Sequence, residues 1–263
     1  MKKIKYALVQ GGGGFKGTFQ LGALNYINDN WKQITGLDTP MHFDLITGVS
    51  VGALNGIMVA MNKLPELNNL WLNQVANNGV SEIYTSEFLE TDEKAEKIKV
   101  KFDVKALFKQ LLPSVEFKLD FFEKMGLIFS KKKRNGILDG LFNSIESQLK
   151  LSMKKFDALA DNTPLRRKME KLIDRSLING IFKCGFVSLN SGKYHSVAHD
   201  EFVSNEHLVK GIIASTSIPA VWKPVKTVKF VKNEKIVKSK YNVDGGIMNM
   251  SPLGDAIKMI NQD

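Results

Sequence analysis

The segment Gly-Val-Ser-Val-Gly at residues 48–52 constrains this chain most, because of what lies on either side of it. Residues 43–47 are short and apolar enough for a buried strand, and residues 53–61 form an apolar run typical of a buried helix. A serine between two glycines at a strand-to-helix junction is typical of a nucleophile elbow, a sharp turn that exposes the serine hydroxyl. Gly48 and Gly52 would let neighbouring backbone approach Ser50 closely. A plain turn with an unreactive serine shows the same five letters, so the flanking context carries the prediction.

Length predicts one domain over residues 1–263, and the change in composition at about residues 80–160, where lysines multiply, predicts a helical, basic, lid-like insertion. The hydrophobic content of 43% and the charged content of 24% are ordinary for a globular protein. The one cysteine cannot form an internal disulfide. The apolar run after the first lysines is too short for a signal peptide, and glycines and polar residues interrupt the uncharged run at 45–62. We therefore predict a cytoplasmic protein without a signal peptide or a transmembrane segment.

The charge is strongly basic, with 37 Lys and Arg against 27 Asp and Glu and a net charge of +10. The excess is concentrated in residues 94–175 and 223–240, and the first of these contains an aromatic and lysine-rich run at 117–134. Such segments favour peripheral association with an anionic membrane, and a solvated lysine-rich surface explains them equally well. We expect no nucleic-acid partner, and the sequence leaves the oligomeric state open.

A glycine-rich loop at residues 11–17 follows the first predicted strand, at residues 5–10, and precedes a helix. Gly12, Gly14 and Gly17 satisfy the spacing of a dinucleotide-binding fingerprint. That fold expects a carboxylate at the end of its second strand to hold the ribose. Here the only carboxylate of that strand, Asp44, lies near its start, which argues against nucleotide binding.

An oxyanion hole is the alternative use of this loop. Backbone N–H groups of Gly12, Gly13 and Gly14 can point at one spot beside a helix N-terminus, and Lys16 would add positive potential there. In hydrolases with an elbow, a loop of this kind precedes the serine in the chain, as it does here.

The serine requires a positioned base, and the sequence offers two kinds. One is a histidine of a Ser-His-Asp triad, for which His195, His199 and His207 are available. The other is Asp244, which Gly245 and Gly246 follow at the end of a predicted strand, although the same three residues also suit a simple turn. His195 and His199 lie on one face of a predicted strand without an evident third ligand, so we expect no metal.

Taken together, these segments resemble the patatin-like phospholipase family. Four segments carry the resemblance in family order: the glycine loop at 11–17, the elbow at 48–52, Ala-Ser-x-x-x-Pro at 214–219 and Asp-Gly-Gly at 244–246, with Asn249 and Pro252 following. The insertion at about 80–160 carries no specific resemblance.

The resemblance implies a three-layer α/β/α fold with a central, mostly parallel sheet, and a catalytic dyad. Ser50 would attack an acyl carbonyl, Asp244 would accept its proton, and the loop at 11–14 with Lys16 would hold the oxyanion. Family members require no cofactor or metal, and they act on phospholipids, lysophospholipids or neutral acyl esters. Two alternatives stay open: a triad esterase for small soluble esters, and a non-catalytic nucleotide- or membrane-binding module.

Overall fold

The computed structural model describes residues 5–85, 90–91, 100–101, 160–219 and 221–261. The chain clusters into two compact units, one formed by Met1–Thr85 with Ala158–Asp263 and the other by Ser86–Asp157. The described part of the second unit is an antiparallel pair of short strands, β3 (Glu90–Thr91) and β4 (Val100–Lys101). The predicted helical, basic insertion lies largely outside the described residues, and the single-domain arrangement stays a prediction.

The first unit contains a six-stranded sheet with helices packed on it. Its strands are β1 (Ala7–Gln10), β2 (Leu45–Val49), β5 (Ile181–Ser188), β6 (Lys193–Ala198), β7 (Val225–Lys232) and β8 (Lys235–Asp244). Its α-helices are α1 (Gly17–Asp29), α2 (Trp31–Thr35), α3 (Val51–Ala60), α4 (Leu64–Asn68), α5 (Ala76–Asn78), α6 (Thr163–Leu172), α7 (Asn205–Thr216) and α8 (Leu253–Ile260). A π-helix (Asn69–Val75) joins α4 to α5.

The sheet is mixed, so the prediction of a mostly parallel sheet was wrong. β1, β2 and β5 run parallel, whereas β6 and β8 pair antiparallel with β5, and β7 pairs antiparallel with β8. Short hairpin turns are the cause, because they reverse the chain without a crossover helix. Asn233 and Glu234, with φ of 49° and 62°, form a two-residue turn of the hairpin type between β7 and β8.

Helices lie on both faces of this sheet. Successive residues of a strand point to opposite faces, and Ile46 and Thr47 of β2 show which helix covers each. Gly56 of α3 packs on the Ile46 face, where an added Cβ would lie 3.0 Å from the Ile46 side chain. The Thr47 hydroxyl donates to the carbonyl of Pro252, at the start of α8, at 3.3 Å. The sheet is therefore the middle layer, with α3 and α8 on opposite sides.

Helix α1 buries only some of its apolar residues. Leu21 and Leu24 are buried, but Phe19 is 82% exposed and Tyr26 is also exposed. At about 100° per residue, Phe19 and Tyr26 lie on the side of the helix opposite the two leucines. Within the described residues no helix is long and apolar enough to cross a membrane.

Candidate active site

Ser50 lies in the tight turn between β2 and α3. Its backbone has φ 55° and ψ −131°, a conformation that is strained for any residue with a side chain. Both motif glycines are required by close backbone contacts. A Cβ on Gly52 would lie 2.3 Å from the carbonyl oxygen of Gln10, and one on Gly48 would lie 2.4 Å from the carbonyl oxygen of Gly52. The turn therefore has the geometry that the sequence motif predicts.

The topology of the sheet brings Asp244 to this turn. β2 runs parallel to β5 until Val49, which lies opposite Gly185, and β8 runs antiparallel to β5 until Asp244, which lies opposite Phe186. β6 pairs with residues 183–188 of β5, a stretch that includes residues paired with β2 and residues paired with β8. Because β6 occupies one edge of β5 there, β2 and β8 both lie along the other edge. Two strands therefore end head to head at neighbouring residues of β5, and Ser50 directly follows one of these ends.

The Asp244 carboxylate is buried against the Ser50 hydroxyl. Its side chain accepts hydrogen bonds from that hydroxyl and from the backbone N–H of Gly246, the latter at 2.6 Å. Burial raises the pKa of Asp244 to about 7, although the two hydrogen bonds oppose the rise. A carboxylate with a pKa near neutrality is well matched to accepting a proton during turnover. Gly245 permits close approach to β5, because a Cβ there would lie 2.4 Å from the carbonyl oxygen of Gly185.

The glycine loop lies beside the same serine. A Cβ on Gly12 would lie 3.3 Å from the Ser50 Cβ, and the N–H of Gly12 donates to the carbonyl of Met250 at 2.9 Å. In the described part of the chain no hydrogen bond occupies the N–H of Gly13 or Gly14. Gly14 has φ 55° and begins a short 3-10 helix that ends at the exposed Lys16. The N–H groups of Gly13 and Gly14 are therefore available to a ligand.

The end of α7 holds the backbone at both Ser50 and Asp244, which sequence reasoning missed. The buried Ser215 hydroxyl accepts from the N–H of Ser50 at 2.9 Å and donates to the carbonyl of Gly185 at 2.6 Å. Two residues later, the Ser217 carbonyl accepts from the N–H of Asp244 at 2.8 Å. The Ala-Ser-x-x-x-Pro pattern was the available signal, but it does not say which groups these serines contact.

A largely apolar cavity opens beside Ser50. It encloses about 560 Å³ of empty space, including its mouth and the open solvent there. Its aromatic and aliphatic walls come from the 3-10 helix, α3, the π-helix and the segments around residues 83 and 222, and its polar side chains are few. The lining residues are Gly14, Phe15, Ser50, Val51, Leu54, Trp71, Ile83, Tyr84, Asn162, Leu165, Thr216, Ile218 and Trp222.

The three histidines of the triad alternative are engaged elsewhere. His195 packs against the rings of Phe186 and Phe230, and burial lowers its pKa to about 4. His199 and His207 each accept a backbone N–H through Nδ1, at 3.3 Å and 3.1 Å. In the ranges that the structure describes, no group of three His, Cys, Asp or Glu side chains could hold a metal ion.

The site has the features of a serine hydrolase. A strained serine follows a parallel strand, a buried carboxylate is hydrogen-bonded to it, and a glycine loop lies beside it. The sequence matches the family model described as patatin-like phospholipase over residues 8–257. The chain therefore belongs to the patatin-like phospholipase family, whose members are serine lipid acyl hydrolases with a Ser-Asp dyad.

Among solved structures, the chain is similar to the crystal structure of VipD from Legionella pneumophila. The sequences are 14% identical and the TM-score is 0.41. The match covers 94% of this chain and 47% of that one, so the chain spans less than half the length of VipD. A search of curated protein sequences found no match.

Proposed function

We propose that this protein hydrolyses the acyl esters of phospholipids or lysophospholipids, with Ser50 as nucleophile and Asp244 as base. The observation that carries the proposal is the hydrogen bond between the Ser50 hydroxyl and the buried Asp244 carboxylate. A serine hydroxyl is a poor nucleophile unless a base takes its proton, and the Asp244 carboxylate is the hydrogen-bond acceptor of that hydroxyl.

In the first half-reaction, Ser50 Oγ attacks the ester carbonyl while its proton passes to Asp244. The carbonyl π electrons move to oxygen, and the N–H groups of Gly13 and Gly14 stabilise the resulting oxyanion. Lys16, exposed on the same loop, adds positive potential. The Gly12 N–H already donates to the Met250 carbonyl, so it does not serve as an oxyanion donor. The role of Gly12 is to let the loop backbone lie close to Ser50. The intermediate then collapses, the ester bond breaks, and Asp244 returns the proton to the leaving alcohol.

In the second half-reaction, water attacks the acyl-enzyme. Asp244 takes a proton from this water, the oxyanion forms again at the loop, and the bond between Ser50 Oγ and the acyl carbon breaks. The proton returns to Ser50, and a fatty acid leaves. The same two residues therefore act in both halves, and neither half requires a metal or a cofactor.

The cavity beside Ser50 supports a lipid acyl chain as substrate. Leu54, Trp71 and Leu165 contribute apolar wall, and Tyr84 packs edge-on against Trp222. An acyl chain in such a cavity gains hydrophobic stabilisation of roughly 0.8 kcal/mol for each buried methylene. A long-chain ester thereby gains binding energy that a short soluble ester lacks, which favours lipid over the small-ester alternative.

Peripheral association with anionic membranes is part of the proposal. Within the β7–β8 hairpin, Lys232 lies opposite Lys235 and Lys229 lies opposite Lys238. Like charges at opposite positions of a hairpin repel one another, and an anionic surface relieves that repulsion. The other basic segment, residues 94–175, lies largely outside the described residues, and a cytoplasmic location stays a prediction.

Fatty-acid release from phospholipid vesicles tests the proposed function. The wild-type protein should release fatty acid at a rate proportional to enzyme concentration, and the Ser50→Ala protein should release none above background. Vesicles with and without anionic lipid show whether the lysines matter. Equal release by wild type and Ser50→Ala would refute the assignment of Ser50 as nucleophile.

The pH dependence of kcat/KM should report the ionisation of Asp244. The base works only when it is ionised, so activity should rise with pH, about tenfold per unit below the pKa, and level off above about pH 7. A neutral soluble ester avoids titration of the substrate. A triad that used His195 would instead place the inflection near pH 4, which is the pKa that burial gives that ring.

Substitution of Ser215 should reduce turnover more than it reduces binding. In Ser215→Ala the N–H of Ser50 and the carbonyl of Gly185 lose their partner, and the nucleophile loses its fixed position. We expect kcat to fall about 10- to 100-fold with little change in KM.

Ser188→Ala is the matched control for this substitution. Ser188 is also a buried serine of the sheet region, and its hydroxyl donates to the carbonyl of Lys240 at 3.0 Å. Both substitutions should lower the free energy of unfolding by about 1–2 kcal/mol, but Ser188→Ala should keep its kcat. A similar fall of kcat in both proteins would show that Ser215 has only a structural role.

A further inference from the structure

The mouth of the cavity is bordered by apolar side chains that face solvent. Phe15 lines the cavity together with Ser50 and is still 44% exposed. Phe19 follows one helical turn later on the same face and is 82% exposed, more than any other large apolar residue of the described chain. Single exposed apolar residues are common on proteins, but these two form a pair beside a reactive serine.

A second apolar group lies on the Gly12 side of Ser50. A Cβ on Gly12 would lie 3.3 Å from the Ser50 Cβ and 3.5 Å from the sulfur of Met250. Ser50 and the Met250 side chain are therefore both neighbours of Gly12. Met250 is 50% exposed. Helix α8 begins three residues later, and three of its apolar residues, Leu253, Ile257 and Ile260, are also exposed.

We propose that Phe15, Phe19 and Met250, here called the apolar rim, seat the mouth of the cavity on the surface of a lipid bilayer. The inference rests on the proposed function, because it describes how a lipid substrate reaches Ser50. The rim residues would enter the boundary between head groups and acyl chains, where exposed aromatic and aliphatic side chains gain hydrophobic stabilisation.

The position of the rim favours a bilayer over a partner protein. A protein seated on Phe15 and Met250 would cover the entrance through which the substrate reaches Ser50. A bilayer instead contains the substrate, and an acyl chain can pass from it into the apolar cavity without crossing water. Because the rim is apolar, this contact requires neither anionic lipid nor low salt, unlike contact through the lysines of the β7–β8 hairpin.

Vesicle flotation tests the proposal without relying on activity. Every protein in this experiment carries Ser50→Ala so that the vesicles stay intact. The parent protein carries only that change, and the test variant also carries Phe19→Ser. With phosphatidylcholine vesicles at high salt, we expect Phe19→Ser to weaken binding by about tenfold or more. Ile34→Ser is the matched control, because Ile34 is a 55% exposed aliphatic residue on α2, beyond the C-terminal end of α1, and its substitution should leave binding unchanged.

The activity of proteins with an intact Ser50 provides the second measurement. The ratio of the rate on vesicles to the rate on a soluble ester should fall about tenfold in Phe19→Ser and stay constant in Ile34→Ser. If the wild type hydrolyses neither substrate, the proposed function fails, and flotation alone decides on the rim. Unchanged flotation of Phe19→Ser, absent flotation of the parent protein, or binding that requires anionic lipid and disappears at high salt would each overturn the proposal.

Discussion

Substitution of Asp244 by Asn should abolish ester hydrolysis while making the protein more stable. The amide has nearly the same shape and can still accept the Gly246 N–H, but it cannot take the proton of Ser50. We expect kcat/KM on a soluble ester to fall about 10³- to 10⁴-fold. Steady-state kinetics with a pure protein measures this loss, and an Asp244→Asn protein with full activity would return the role of base to a histidine.

The gain in stability follows from the raised pKa of Asp244. The folded protein holds a proton on this carboxyl up to about pH 7, whereas the unfolded chain releases it near pH 4. Between pH 4 and pH 7 the folded state binds more protons than the unfolded state, so the free energy of unfolding falls as the pH rises. Above pH 7 this loss of stability is complete. Asp244→Asn removes the penalty, and we expect a gain of about 1–3 kcal/mol at pH 8 that shrinks as the pH falls toward 4. Denaturant unfolding at both pH values measures it.

Substitution of Ser50 should also separate activity from stability. Ser50→Ala and Ser50→Gly both remove the nucleophile, and each should lower kcat on the order of 10⁴-fold or more. They differ in backbone strain, because φ 55° with ψ −131° suits glycine and no residue with a Cβ. We expect the glycine protein to be about 1 kcal/mol more stable than the alanine protein.

The comparison of the two Ser50 variants contains its own control. Both lack the hydrogen bond to Asp244, so the difference between their free energies of unfolding reports the strain at this position less the unfolded-state entropy of glycine, about 0.4–1 kcal/mol. An alanine protein that is more stable than the glycine protein by that amount would show that the turn carries no strain. Together with Asp244→Asn, this result would show that the two proposed catalytic residues are held in place at a cost to stability.

Local sequence patterns predicted the parts of the site that local geometry determines. The elbow at Ser50 was predictable because a strand, a Gly-x-Ser-x-Gly turn and a helix follow one another directly. The assignment of Asp244 depended on resemblance to a family, because its contact with Ser50 arises only where β2 and β8 end on the same edge of β5. Strand register of that kind is set by long-range pairing, which no short pattern contains.

Other features could not be read from the sequence for the same physical reason. The hydrogen bond from Ser50 to Ser215 joins residues far apart in the chain. The exposure of Phe19 on α1 could not be predicted, because hydrophobicity alone does not say which side of a helix meets the core. The prediction of a mostly parallel sheet was wrong, because hairpins impose antiparallel pairs on the strands that they join.

Labelling with a long-chain fluorophosphonate, followed by intact mass and peptide mapping, tests the central claim most directly. Such a reagent reacts with a serine only where a base and an oxyanion hole activate it. We expect one adduct per chain, located on Ser50, that forms far more slowly in Asp244→Asn. A folded protein that takes no label, or takes it on another residue, would show that Ser50 is not the activated nucleophile.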